Sequence, residues 1–296
     1  MEVRTYGNVD SDLVIIQMSG AHEKNLIEKE VSLIKELTDR DFLLLACFVD
    51  DWNRDLSPWK ADAVFGNEAF AGGAEITLSA LIDEVICKYS DRTLIIGGYS
   101  LAGLFALWAS YQTDSFSGVA AASPSAWFPD FLSYATGHDV KADTIYLSLG
   151  NKEEKTKNKT MRTVGDNIKA LHDHYEETGI KTTLEWNEGN HFKEPELRTA
   201  KAIAWVINNL DEQICRIMKY ERLMLKAKDL ISNHSADNAN GLSDIMSELD
   251  LYYKSDEWKK DFADDEAGRL PTKLKRGVLS EDGLYNLFEE YNDLIK

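Results

Sequence analysis

Apolar residues in the first two thirds of the chain come in short unbroken runs: 13-LVIIQM-18, 42-FLLLACFV-49, 94-LIIGGY-99, 116-FSGVAAA-122 and 145-IYLSLG-150, followed by an alternating run, 182-TTLEWN-187. Unbroken apolarity over so few residues marks a strand buried on both faces, as in a parallel sheet covered by helices. Segments of helical period lie between these runs, at 23–38, 75–89, 103–112, 161–179 and 196–210. In the first, Leu26, Ile27, Val31, Ile34 and Leu37 share one stripe, and Gly179 fits the stop of the fourth. Strand alternating with helix predicts an α/β fold, a mostly parallel doubly wound sheet flanked by helices. In such sheets ligand chemistry sits beyond the carboxyl ends of the strands.

The pattern changes after Leu210. No strand-like run follows, and Leu210, Ile214, Ile217, Tyr220, Met224, Ala227 and Ile231 recur three or four residues apart. Leu242, Ile245, Leu249 and Tyr252 repeat that spacing beyond a polar break at 232–241. A third helix is expected from Ser280, with Leu284, Leu287, Phe288, Tyr291 and Leu294 on its apolar face. The expected organisation is a first domain over 1–210 and an all-helical extension over 211–296. The extension suits a cap, a dimer surface or a docking site for a protein partner.

One polar residue stands at a seam between two of these apolar elements. In 97-GGYSLAG-103, Ser100 follows the strand-like TLII and precedes a buried-helix pattern. This is the setting of the G-x-S-x-G elbow, with Ala102 in place of the last glycine. A serine hydroxyl becomes a nucleophile only beside a base, and a sharp strand-to-helix turn is what exposes its Oγ. In that arrangement an acid and then a histidine follow the serine, each on a loop after a later strand. Glu153 or Glu154, in 151-NKEEK-155, follows IYLSLG, and His191, in 187-NEGNHF-192, follows TTLEW. His172 and His174 fall on a helix, and His138 and His234 in polar loops. His22 follows the first strand, where it either approaches the site or merely begins a helix. Oxyanion donors are expected at the amide of Leu101 and in the loop 18-MSGAHE-23, at Ala21 or Gly20. Trp52, Trp59 and Phe65, on a long segment after the second strand, and Trp127 and Phe128 after the fourth, are candidates for pocket walls or for pins that hold the loops to the core.

With these residues in place, the chain resembles the predicted-esterase branch of the α/β-hydrolases, which includes the enterochelin-esterase-like enzymes. GGYSLAGLFALW, ASPSAWF, YLSLGNKEE and EGNHF carry the likeness, in order, over roughly residues 10–210. The resemblance implies an α/β-hydrolase fold, with Ser100 as nucleophile, His191 as base and Glu153 as the acid of a G-x-x-E element. It implies a serine esterase acting on a small-molecule ester, with no cofactor or metal; thioesterase, peptidase and acyltransferase chemistry would use the same residues, and a non-catalytic scaffold acting through its tail is the rival outside enzymes. The chain departs from the branch in a short N-terminus, which implies fewer opening antiparallel strands, and in an oxyanion loop without the HGGG form. Separately, 252–291 resembles a small bacterial domain family of unknown function.

Composition narrows the picture further. A net charge of −18 argues against a nucleic-acid partner, which requires a basic face. At 44% hydrophobic residues the chain can build a large core. Cys47, Cys87 and Cys215 form no CxxC pair and suit reduced, buried thiols. No signal-peptide pattern or membrane-length apolar run is present, so a cytoplasmic protein with no membrane partner is expected.

Overall fold

A computed structural model of the protein describes residues 1–64, 66–233, 239–271 and 274–294; Phe65 and His234 lie outside them. The chain divides into two compact units, Met1–Leu210 and Asp211–Lys296.

In the first unit the strands are β1 (Glu2–Gly7), β2 (Leu13–Gly20), β3 (Leu43–Val49), the short hairpin pair β4 (Lys60–Ala61) and β5 (Phe70–Ala71), β6 (Thr93–Tyr99), β7 (Gly118–Ala122), β8 (Thr144–Gly150) and β9 (Lys181–Asn187). The helices are α1 (Ile27–Leu37), α2 (Trp52–Asp55), α3 (Ala74–Glu84), α4 (Leu101–Gln112), α5 (Phe131–Thr136), α6 (Val164–Glu177) and α7 (Pro195–Asn209). Seven strands pair in the order β1-β3-β2-β6-β7-β8-β9. All neighbours are parallel except β1, which runs antiparallel to β3 from Glu2 against Phe48 to Gly7 against Leu43. β2, β3, β7 and β8 are buried along their whole length, as their unbroken apolarity requires, whereas edge strand β9 is half-buried through its middle and fully buried only at Asn187. β1 is an element the apolar runs do not announce: EVRTYG is almost wholly exposed at the other edge. Because β2 has β3 on one side and β6 on the other, the chain switches direction there. The crevice beyond the carboxyl ends of β2 and β6 is the natural ligand position.

Two expectations are corrected here, for Leu37 and for the cysteines. Leu37 is 42% exposed, so the stripe of α1 runs through Ile27, Glu30, Val31 and Ile34 and ends before it. Cys87 is exposed, on a 3₁₀ turn at Ile86–Tyr89, while Cys47 is buried and Cys215 half-buried; none of them is in a disulfide. Aromatic residues of the long segment after β3 divide in role, as the site shows below.

The second unit contains α8 (Glu212–Ser232), α9 (Ala239–Tyr253), α10 (Asp256–Glu266) and α11 (Glu281–Leu294). Its core is its own, built on Ile217, Met224, Leu249, Trp258, Leu279 and Leu287. Asp211 caps α8 by accepting from the amides of Gln213 and Ile214, and Ser255 caps α10 through Trp258. α10 is not evident from apolar periodicity, because DEWKKDFADDE is dominated by charge. Its Asp261 is fully buried, held by Arg216 and by the hydroxyl of Tyr252 at 2.7 Å. Among the described residues, no helix is long and apolar enough to cross a membrane.

Candidate active site

β6 ends at Tyr99 and α4 begins at Leu101, leaving Ser100 alone in the turn with φ 58° and ψ −119°. A non-glycine residue pays in strain for this conformation, which aims its side chain out of the sheet. The turn is possible because strand and helix nearly touch: a Cβ on Gly98 would lie 2.6 Å from that of Ala102. Ala102 therefore fits where a larger residue would not. Two hydrogen bonds fix the elbow, from Ser100 N to Ala122 O at 3.1 Å and from Ser125 N to Ser100 O at 3.0 Å.

Loops after β8 and β9 bring the two other predicted side chains to this serine. His191 Nε2 lies 2.9 Å from Ser100 Oγ, and His191 Nδ1 lies 2.7 Å from Glu153 Oε2. The carboxylate selects the tautomer with the proton on Nδ1, leaving Nε2 to accept from the serine. Burial alone would raise Glu153, but the hydrogen bond and charge of His191, with the Gly150 amide at 2.7 Å and Ser123 Oγ at 3.0 Å, hold its carboxyl below the ordinary value. Glu154 turns away and packs its carboxylate against Gly165 on α6. Of the two open candidates, Glu153 is the one that meets His191.

Arg198, on α7, is the residue that sequence reasoning missed. It is 2% exposed, and its guanidinium donates to Glu153 Oε1 at 2.8 Å, Ser123 Oγ and Tyr99 Oη at 3.2 Å, Glu188 O at 3.1 Å and Asn190 O at 2.9 Å. One side chain thus fixes both the acid and the loop that carries His191. Tyr99 adds a bond from its hydroxyl to His191 O at 2.6 Å. A signal existed in the sequence: Arg198 lies in phase with the buried Ala202 and Val206 of α7, and a charge on an apolar stripe requires a partner.

The oxyanion loop after β2 closes as a 3₁₀ turn, Ala21–Glu23. Of the two amides expected to donate from this loop, that of Gly20 is already engaged by Glu23 Oε2 at 2.9 Å. Ala21 and Leu101 each stand first in a helical turn, where an N–H has no partner within the helix.

A cavity of about 440 Å³ opens over Ser100, walled by Trp52, Trp127, Met161, Val164, Phe192 and residues of the oxyanion turn. His22 also lines it, edge-on to Trp52 with ring centroids 4.9 Å apart. Trp52 and Trp127 are therefore wall residues. Phe128, expected to be one, is not: it is 1% exposed and packs between Trp59 and Phe70 in the core. Trp59 pins the long loop instead, donating Nε1–H to Pro129 O at 3.1 Å.

Comparison with known proteins agrees with this architecture. No curated protein matches the chain. Residues 216–296 match the model of a domain of unknown function, DUF4298, which bears out the likeness of the tail to such a family. Among solved structures, an IroE-like serine hydrolase from Shewanella oneidensis aligns at 13% identity and a TM-score of 0.56, over 99% of both chains. The siderophore hydrolase EstA from Aspergillus nidulans aligns at 17% and 0.55, over 70% of this chain and 89% of its own. The enterobactin esterase FES from Shigella flexneri aligns at 14% and 0.50, over 69% of this chain and 54% of its own. What the chain shares with these hydrolases is the fold, and that fold is the α/β-hydrolase fold.

Proposed function

We propose that the protein is a serine carboxylic-ester hydrolase. The observation that carries this is the unbroken hydrogen-bonded set Ser100–His191–Glu153 at the carboxyl ends of the strands, opening into an apolar cavity. His191 Nε2 takes the Ser100 proton as Oγ attacks the ester carbonyl, and Glu153 stabilises the imidazolium. The amides of Leu101 and Ala21 receive the oxyanion. His191 then gives the proton to the leaving alcohol, and water, activated by the same nitrogen, releases the acyl group from Ser100. Three cysteines outside any disulfide suit a reducing compartment, and the cytoplasm is the location we favour, to be checked by fractionation.

A fluorophosphonate probe should label the wild type and spare Ser100→Ala. Hydrolysis of a short aryl ester should fall roughly 10³-fold or more in the same variant. Equal labelling of both proteins would remove Ser100 from the role.

A further inference from the structure

The cavity wall holds a charge that the chain does not balance. Glu23 is almost fully buried and lines the cavity. One carboxylate oxygen accepts from Gly20, and among the described residues no lysine or arginine pairs with it or lines the cavity. The Arg198 guanidinium beneath is committed to Glu153 and its neighbours. Burial holds His22 below its ordinary value, so its imidazole is uncharged at neutral pH and offers no cation either. A buried acid without a cation is costly to ionise, and burial pushes Glu23 up to about 7.

Aromatic surface stands beside this carboxylate. Gly20, which donates to Glu23, is roofed by the His22 and Trp52 rings so closely that a Cβ there would lie 2.6 Å from His22 Nδ1 and 2.8 Å from Trp52 Cε3. Carboxylate, imidazole and indole therefore converge on one point of the wall. An acid with an indole beside it, in a pocket that no lysine or arginine lines, is the chemistry that binds an ammonium group.

We propose that Glu23 and Trp52 form a subsite for a cationic group, so that the preferred substrates are esters carrying an ammonium on their alcohol or acyl portion. The proposal rests on the esterase reading above and adds to it a substrate class. The ammonium supplies the counter-charge Glu23 lacks, and the overall charge of −18 draws cations toward the protein. Anionic esters meet no compensating cation in the cavity.

The test compares matched pairs at about pH 8.5, where Glu23 is ionised. Choline butyrate is set against the ester in which carbon replaces the nitrogen, and a phenyl ester of a trimethylammonio acid against its carbon isostere, each with wild type and with Glu23→Gln. Glutamine keeps an oxygen for the Gly20 amide and removes only the charge. On one side of the ester, kcat/KM for the cationic member should exceed that of its isostere about tenfold or more. In Glu23→Gln that ratio should collapse to about twofold, and because the ratio is taken within one protein, any change in the rate of the neutral ester cancels from it. Protection against fluorophosphonate labelling gives the same comparison where turnover is slow. No cationic preference on either side, or a preference that survives Glu23→Gln, overturns the subsite. Ser100-dependent hydrolysis of the neutral esters would still leave the esterase reading intact, whereas loss of both hydrolysis and labelling defeats that reading itself.

Discussion

At the scale of residues, the candidate site is a set of charges arranged around one imidazole. Arg198 compensates Glu153, which would otherwise be a lone buried carboxylate, and it ties down the carbonyls of Glu188 and Asn190 in the loop just before His191. Arg198→Met should lower kcat by about 10²-fold. Removing the cation leaves the buried Glu153 carboxylate less compensated and so easier to protonate, and the acid limb of the pH–rate profile should move to higher pH. Arg198→Lys should restore part of both. A folded Met variant with an unmoved acid limb would reduce Arg198 to packing. Ser100 and His191 were legible because nucleophile and base leave fixed traces, a small-residue elbow and a loop histidine after a strand. The acid stayed open between Glu153 and Glu154, since which neighbour faces inward depends on the path of a turn. Arg198 was hidden because an arginine in a helix has, as a letter, no direction.

At the scale of elements, phase supplies that direction. Glu30 falls between Ile27, Val31 and Ile34 on the buried stripe of α1, as Arg198 does on α7. Burial pushes the Glu30 carboxyl up to about 8, opposed by a hydrogen bond from Gln17 and aided by Glu23 and Glu196. The folded chain therefore keeps a proton that the unfolded chain releases near 4.5. Stability from this group is full below about pH 4.5 and declines as the pH rises toward about 8. Glu30→Gln should remove the decline, so its Tm advantage over wild type should grow between about pH 5 and about pH 8.5, reaching roughly 5 °C. A difference that stays flat across that range would refute the assignment. Helix and strand order could be read from the chain because solid apolar runs and helical spacing are unmistakable in a two-faced sheet. β1 and α10 could not, since an exposed edge strand and a helix of mostly charged residues are held by their neighbours rather than by their own pattern.

At the scale of the molecule, two cores with separate residues stand in one chain, and the whole proposed machinery, Ser100 to Arg198, lies in the first. The change of pattern at Leu210 was visible because a chain that stops alternating strand with helix has left the sheet. What the second unit does was not, since packing helices leaves no chemical trace. The elbow has a consequence for the first unit as a whole. Ser100 sits at a positive φ that costs roughly 1–3 kcal/mol for any side chain, and glycine would adopt it freely. Ser100→Gly should therefore melt higher than the wild type by a few degrees while hydrolysing nothing, measurable by thermal denaturation; a lower Tm would mean that the turn is relaxed. If the serine is the nucleophile, natural selection has kept the less durable of two available proteins. A lineage released from the need for activity would then be expected to drift toward the glycine, becoming hardier as it falls silent.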